Sequence, residues 1–171
     1  MTILPLLLFA LLTLGNAFFV AAEFALKAKL AFQLGDIATA RAELDEMWKL
    51  YEGTKASSYQ SGNLAYFSLF DAEVSAQRGQ ADQLERARAR LRQYVSASTA
   101  ISDEESGVRQ LLFEFGDARS LSIAGDPRST PELAEQLVRR ADAVLASAVS
   151  SKLSRYEIRE RQELLAQILL L

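Results

Sequence analysis

The sequence predicts an all-α protein in which most helices are joined as antiparallel hairpins. Ala, Leu, Glu, Gln and Arg dominate the composition, and these residues are strong helix formers. Apolar residues recur with the period of a helix, without the alternation and turn punctuation that mark strands. Three Ala–Gly pairs also recur along the chain at similar intervals, which is typical of a repeated structural unit.

The N-terminus carries an apolar segment, residues 3–22, that contains no charged residue. A helix of about 20 residues spans about 30 Å, the thickness of the hydrocarbon core of a bilayer. We therefore predict a transmembrane anchor over residues 1–27 and a helical-repeat domain over residues 28–171. The residues of the segment that are not apolar are Pro5, Thr13, Gly15 and Asn16.

The processing and orientation of this segment lead to two further expectations. A signal peptide is the alternative to an anchor, and its cleavage would leave Phe18 or Glu23 as the mature N-terminus; no Lys or Arg precedes the apolar run, however, as signal peptides normally have. Lys27, Lys29 and Arg41 follow the run, so the positive-inside rule predicts a single-pass protein of a bacterial inner membrane with its C-terminal domain in the cytoplasm. The alternative orientation places the C-terminal domain in the periplasm.

The segment from Asn16 to Leu26, NAFFVAAEFAL, resembles the first transmembrane helix of the CorC/cyclin-M-type ion transporter family, also called hemolysin-like. Members of that family have further transmembrane helices and paired CBS modules, whereas this chain has no second apolar segment of adequate length. The resemblance therefore implies membrane insertion but no transport function and no ion-binding residue. An accessory or truncated relative of such a transporter is one alternative function.

The periodicity and the turn-forming residues between apolar stripes predict seven helices, an anchor helix and about six more. The turn GDPRSTPE at 125–132 predicts Thr130 as a helix N-cap and Pro131 as the first helical residue. The predicted helices cover residues 3–34, 36–53, 58–78, 80–97, 104–124, 131–149 and 153–170.

The repeated feature is an alanine that precedes a glycine by seven residues. A glycine that ends a helix, with a small residue two turns before it, lets two antiparallel helices approach closely. The glycines are separated by 44 and 46 positions, which predicts stacked helix hairpins. The pairs are Ala28 and Gly35, Ala72 and Gly79, and Ala118 and Gly125.

The first of these units is similar to a tetratricopeptide repeat. The resemblance implies an α-solenoid that mediates protein–protein interaction. Two departures are that the spacing exceeds that family's period of about 34 residues, and that Leu84 stands where the second unit should have a small residue. The residues that carry the similarity are Ala28, Gly35, Asp36, Ile37, Ala40 and Leu44.

Composition and motifs argue against catalysis and nucleic-acid binding. The chain has no Cys and no His, which removes thiol nucleophiles, imidazole bases and Cys/His metal sites, and it lacks P-loop, GxGxxG, GxSxG and HExxH motifs. The net charge is −3. The run ERARARLR at 85–92 places its arginines on opposite helix faces, so we expect pairing with Glu85 and solvent rather than with phosphates. We predict no catalytic, cofactor or metal site and no enzymatic activity.

A candidate partner-binding face lies on the third predicted helix. Tyr59, Asn63, Tyr66 and Phe70 follow one another at steps of three or four residues, so they share one side of a helix. In a hairpin array the first helix of each pair lines the concave surface, where tyrosines can stack and Asn63 can hydrogen-bond a partner's backbone. Core packing is the alternative explanation. The function predicted is a membrane-anchored scaffold that binds other proteins, as an accessory subunit of a membrane complex; a secreted helical binding protein is another alternative.

Overall fold

The computed structural model describes residues 20–52, 56, 58–97 and 103–150. These residues form helices and no strand, which confirms the predicted all-α class for the described part of the chain. Apart from the start of the first helix, each boundary lies within two residues of its predicted position. The helices are α1 (20–33), α2 (Ile37–Tyr51), α3 (Ser58–Gln77), α4 (Ala81–Ala97), α5 (Asp103–Ile123) and α6 (Pro131–Ser150).

Two parts of the sequence-based prediction concern residues beyond these ranges. The predicted seventh helix, 153–170, and positions 3–19 of the predicted membrane span lie outside the described residues. Within the part of the chain that the structure describes, no helix has both the length and the apolar character needed to cross a bilayer.

The chain divides into two compact units, Met1–Lys55 and Ala56–Leu171. In the first unit the side chain of Asp36 caps α2: its carboxylate accepts hydrogen bonds from the backbone amide of Thr39 at 3.0 Å and from the Thr39 hydroxyl at 2.6 Å. These bonds lower the pKa of Asp36. The buried hydrophobic residues of this unit include Ala21, Ala25, Ala28 and Ala31 on α1, and Ala40, Leu44 and Met47 on α2.

In the second unit α3 and α4 pack against each other as antiparallel helices. Near the turn that joins them, Ala72 and Ala76 of α3 contact Leu84 and Ala87 of α4. Far from the turn, a second cluster contains Ala65 and Leu91, so contact is kept along both helices. The α5 helix packs against α3, α4 and α6.

The α5–α6 pair is also antiparallel. Glu114 in the middle of α5 forms an ion pair with Arg140 in the middle of α6, while Ala118 near the end of α5 and Leu133 near the start of α6 line a common cleft. The buried core between the helices consists of Leu111, Phe115, Ala118, Leu137 and Ala141.

Three glycines end α1, α3 and α5 in the left-handed conformation. Gly35 has φ of 81°, and Gly79 and Gly125 each have φ of 65°. At the first site the amide of Gly35 donates to the carbonyl of Phe32 at 3.0 Å, and the amide of the next residue donates to the carbonyl of Ala31 at 2.9 Å. The same pair of bonds recurs at the other two glycines. This is the Schellman ending, which satisfies carbonyls left free at a helix terminus.

The alanines seven residues before these glycines are all buried. Ala28 and Ala72 have no exposed surface and Ala118 is 6% exposed. The predicted pairing of a buried small residue with a helix-ending glycine is therefore confirmed at all three places.

The connection between α5 and α6 is longer than the other two turns because it contains the additional sequence PRST. It runs from 124 to 130, whereas α1–α2 and α3–α4 are joined by 34–36 and 78–80. As predicted, Thr130 caps α6, since its hydroxyl accepts from the amide of Leu133 at 3.3 Å and helix α6 begins at Pro131.

The left-handed glycine conformation can be tested with Gly79→Ala. No atom lies within 4 Å of the added Cβ, but φ is +65°, so we expect backbone strain to lower the free energy of unfolding by about 1–2 kcal/mol. The control is Gly107→Ala in α5, which also has open space but no positive φ, and should stabilise by about 0.5–1 kcal/mol. Urea unfolding followed by circular dichroism measures both. Equal effects at the two positions would show that position 79 does not require a left-handed residue.

Candidate functional site

The predicted partner-binding residues lie on α3, and this helix contacts α5 along the row that follows. The residue numbers within each contacting pair differ by 46 or 47, so the two helices run in parallel with a shift close to the 46-residue spacing of Gly79 and Gly125. The pairs are Tyr66 and Phe113, Leu69 and Gly116, and Glu73 and Arg119. Arg109 lies near Gly62, since a Cβ atom added at Gly62 would be 3.9 Å from its Nη1.

The α3 helix packs tightly against α5 at Gly116. A Cβ atom at this position would lie 2.8 Å from Cγ of Leu69 and nearer still to its methyl groups. Because that separation is well below van der Waals contact, the side chain of Leu69 occupies the space that any larger residue at 116 would need. The absence of a side chain at Gly116 therefore makes room for Leu69 between α3 and α5.

Tyr66 lies at the centre of the row and is also exposed. Its ring centroid is 5.0 Å from that of Phe113, with an angle of 60° between the ring planes. Phe113 is buried, whereas 44% of the surface of Tyr66 is accessible. Tilted aromatic pairs of this kind contribute about 0.5–1.5 kcal/mol beyond the area they bury, so Tyr66 is supported from beneath while part of it faces solvent.

The other predicted residues are placed as follows. Asn63 and Phe70 are half-buried, and they share the side of α3 that carries Tyr66 because they lie three and four residues from it along one helix. Residue 59 belongs to α3, but the side chain of Tyr59 lies outside the described residues. The structure thus brings three of the four predicted positions together, and their role in binding stays a prediction.

The α5 side of this surface was missed by sequence reasoning, although a signal for it was present. Adding the 46-residue glycine spacing to Asn63, Tyr66 and Phe70 gives Arg109, Leu112 and Gly116, which lie at or beside the observed contacts. The periodicity of a single helix points only to α3, whereas the repeat spacing points to α5 as well.

An ion pair lies at the end of the row towards the helix-ending glycines. Nη2 of Arg119 is 3.0 Å from Oε1 of Glu73, and half of the Arg119 side chain remains exposed. The surface therefore offers an aromatic ring, the amide of Asn63 and paired charges, which are groups that bind a protein segment.

The position of α5 beside α4 depends on a buried arginine. The Arg88 guanidinium donates from Nε and Nη2 to the two carboxylate oxygens of Asp117, at 2.6 and 2.8 Å, and from Nη1 to Glu85 at 2.9 Å. Only 8% of the Arg88 side chain is exposed, and the bond to Asp117 raises its pKa. The pairing of this arginine run with Glu85 was predicted, whereas the pairing with Asp117 was not.

A second arginine of the run is also used within the fold. Nη1 of Arg90 lies 2.8 Å from the buried carboxylate of Asp71 on α3, and the hydroxyl of Ser75 donates to the same carboxylate at 3.2 Å. The buried charge of Asp71 is thus compensated by hydrogen bonds, as buried charges generally are.

Arg128, in the α5–α6 connection, joins this network from the other side. It contacts Glu85 through Nη2 and Asp126 through Nη2 and Nε, the latter two at 2.7 and 2.8 Å. Hydrogen bonds from Arg128 lower the pKa of both carboxyl groups. The longer connection is therefore fixed to the start of α4 by charge.

An open cleft of about 230 Å³ lies between the end of α5 and the start of α6 and is bordered by Ser122, Ser129 and Pro131; small-molecule pockets are usually about 300–1,000 Å³ and enclosed. No group of three or more carboxylates that could hold a metal ion occurs among the residues that the structure describes. The surface around Tyr66 is accordingly the candidate site.

Comparisons of the chain with protein-family models, with curated proteins and with solved structures found no match. The resemblances to tetratricopeptide repeats and to the CorC-type transmembrane helix therefore stay predictions. Function is inferred from the residues and contacts of this chain.

The close approach of α3 and α5 can be tested with Gly116→Ala. In the parent chain the added methyl group overlaps Leu69, and overpacking of this kind costs about 1–3 kcal/mol. In a Leu69→Ala background the overlap disappears, and the higher helix propensity of alanine should stabilise by up to about 1 kcal/mol. Chemical unfolding of the four chains gives the coupling energy. If Gly116→Ala has the same effect in both backgrounds, Leu69 does not fill the space beside Gly116.

The role of Arg128 can be tested through the pH dependence of stability. Because the pKa values of Glu85 and Asp126 are lowered in the folded state, they contribute stability above the ordinary values of 4.5 and 3.8, and this contribution is lost as the pH falls below those values. Arg128→Gln should therefore reduce the slope of unfolding free energy against pH in this acid range. Arg139→Gln, which removes an exposed pair with Glu135 on α6, is the control and should leave the slope close to that of the parent. Equal slopes for the parent and Arg128→Gln would contradict the assignment.

Proposed function

We propose that this protein is a helical-repeat scaffold, tethered to a membrane by residues 3–22, which binds another protein on the surface around Tyr66 and catalyses no reaction. Its repeats are tetratricopeptide-like hairpins stacked as an α-solenoid, and its helical domain lies on the cytoplasmic side of an inner membrane. The observation that carries the proposal is the exposed aromatic ring of Tyr66 at the centre of the parallel α3–α5 row.

Stacked hairpins are supported by the recurrence of one local structure. Gly35, Gly79 and Gly125 end helices with the same pair of hydrogen bonds, and α3–α4 and α5–α6 are each antiparallel pairs. The contacts between α3 and α5 are offset by nearly the same number of residues as the glycines. In an array of this kind, equivalent first helices lie side by side and form an extended surface for a partner.

The binding role of this surface is supported by the way Tyr66 is held. Binding hot spots are rich in tyrosine, tryptophan and arginine, and an anchor that is already ordered loses little conformational entropy on binding. Phe113 fixes one side of the Tyr66 ring, while the accessible side can stack on a partner and the phenol can hydrogen-bond it. Asn63 and Arg109 at one end of the row can pair with backbone carbonyls of a bound segment.

The membrane tether is supported by the uncharged sequence of residues 3–22. Attachment to a bilayer confines the domain to the membrane surface and raises its effective concentration near membrane-bound partners. A subunit of a membrane protein complex is therefore the class of partner that fits a scaffold of this design.

The proposal can be tested in two steps. A photo-crosslinking amino acid at position 66 of the full chain first captures the partner in native membranes. The affinity of the captured protein is then measured for the parent chain and for variants of it. We expect Tyr66→Ala to weaken binding by about tenfold or more, which corresponds to about 1.4 kcal/mol. Tyr66→Phe retains the stacked ring and separates the contribution of the hydroxyl group.

The control is Arg139→Ala, at a highly exposed position on α6 outside the α3–α5 row, which should bind like the parent. Circular dichroism checks that each variant is folded. If the captured protein binds the Tyr66→Ala chain as tightly as the parent, the surface around Tyr66 is not its binding site. Crosslinks obtained equally from position 139 would show that capture is non-specific.

A further inference from the structure

The first helix exposes a stripe of leucines to solvent. Leu26 is 70% exposed, Leu30 is 56% exposed and Leu34 is 77% exposed. Because they are spaced by four residues, Leu26 and Leu30 follow one another along one side of α1, and Leu34 continues the row in the turn directly after the helix. Single exposed leucines are common on protein surfaces, but a continuous row on one helix marks a face that another apolar surface covers.

One position of the leucine stripe has an equivalent on α3 that is buried. Leu30 precedes the helix-ending Gly35 by five residues, and Val74 precedes Gly79 by the same number. Val74 has no exposed surface. An apolar residue at this place in the unit is therefore buried in α3 but open to solvent in α1.

The charges around the leucine stripe favour a lipid surface as its cover. Lys29 and Lys27 lie on its two edges, at helical angles of roughly −60° and +100° from Leu26 at 100° per residue, and the exposed Glu23 precedes the leucines on the same side at roughly +60°. Lys27 pairs with Glu23 at 2.7 Å and its ammonium lies 5.8 Å from the centre of the Phe24 ring. A leucine face bordered by lysines is typical of helices in the membrane interface, where long cationic side chains reach the headgroup phosphates.

We propose that the leucine stripe of α1 lies on a bilayer surface, with Leu26, Leu30 and Leu34 at the boundary of the acyl chains and Lys27 and Lys29 among the headgroups. The inference rests on the proposed membrane tether, because the uncharged residues 3–22 run into the first turn of α1 and hold it at the bilayer. Leu26 and Leu34 are separated by about 12 Å along the helix axis, more than the roughly 5–8 Å of polar region on one side of a bilayer. All three leucines therefore contact lipid when α1 lies along the surface rather than perpendicular to it.

The test uses the absence of cysteine from the chain. Leu26→Cys, Leu30→Cys and Leu34→Cys are made singly in the full chain, labelled with the environment-sensitive fluorophore NBD, and reconstituted into vesicles of phosphatidylcholine and phosphatidylglycerol. Ala42→Cys on α2 and Ala81→Cys on α4, both exposed positions, carry the same label as controls. Quenching is measured with lipids that carry a doxyl group near the headgroup and, separately, with aqueous iodide.

We expect labels at the three leucine positions to emit at shorter wavelength, to lose more than half of their emission to doxyl lipid and to be protected from iodide. Labels at the two control positions should respond to iodide alone. Flotation of the vesicles on a density gradient establishes that the chain is bound to them.

The possible results separate this inference from the proposed function. A chain that floats with the vesicles but whose leucine-position labels respond only to iodide overturns the lipid contact and leaves the tether standing. Labels protected from both quenchers indicate a protein cover, such as a second copy of the chain, and also overturn it. A chain that does not float overturns the tether and the lipid contact together, while Tyr66-dependent binding of the captured protein in solution is unaffected. If doxyl lipid also quenches the labels at the control positions, the fluorophore enters the bilayer by itself, and the lipid contact of the leucines is overturned.

Discussion

The contact between Leu69 and the bare backbone of α5 at Gly116 is the constraint on which the second unit depends. It allows α3 and α5, the first helices of their two hairpins, to pack closely side by side. The other contacts of the α3–α5 row depend on this close packing. Phe113 lies under Tyr66 and Arg119 pairs with Glu73, each about one helical turn from the contact at Gly116. A wider separation would leave Tyr66 as an unsupported surface side chain, which would be a weaker anchor for a partner.

Buried ion pairs, in addition to apolar contacts, hold α4 and α5 in position. The buried Arg88 satisfies its guanidinium with two carboxylates, and Asp71 satisfies its carboxylate with Arg90 and Ser75. Breaking a buried pair by removing one partner costs about 3–5 kcal/mol, because an uncompensated charge remains. Such pairs discriminate strongly against other registers of α4 and α5, in which each charge would be buried alone.

The helices and their glycine ends could be predicted from the sequence because their signals are local. Gly35, Gly79 and Gly125 follow long apolar periodic segments, and Thr130 with Pro131 marks a helix start, so each boundary depends on neighbouring residues. The pairings of Arg88 with Asp117 and of Tyr66 with Phe113 span 29 and 47 positions. No helical period connects such partners, and any of several acidic or aromatic residues fits the same chemistry. The candidate face was accordingly found on α3 and missed on α5, where only the repeat spacing points to it.

The Arg88–Glu85–Arg128 network has a consequence for how the protein loses its structure. Arrays of hairpins can melt one unit at a time, since each unit contacts only its neighbours. Here an arginine in the connection of the α5–α6 pair reaches a carboxylate of α4, and an arginine of α4 reaches a carboxylate of α5. Separating the α5–α6 pair from α4 therefore breaks ionic bonds of the α3–α4 pair, so we expect the opening of one pair to be coupled to the stability of the other.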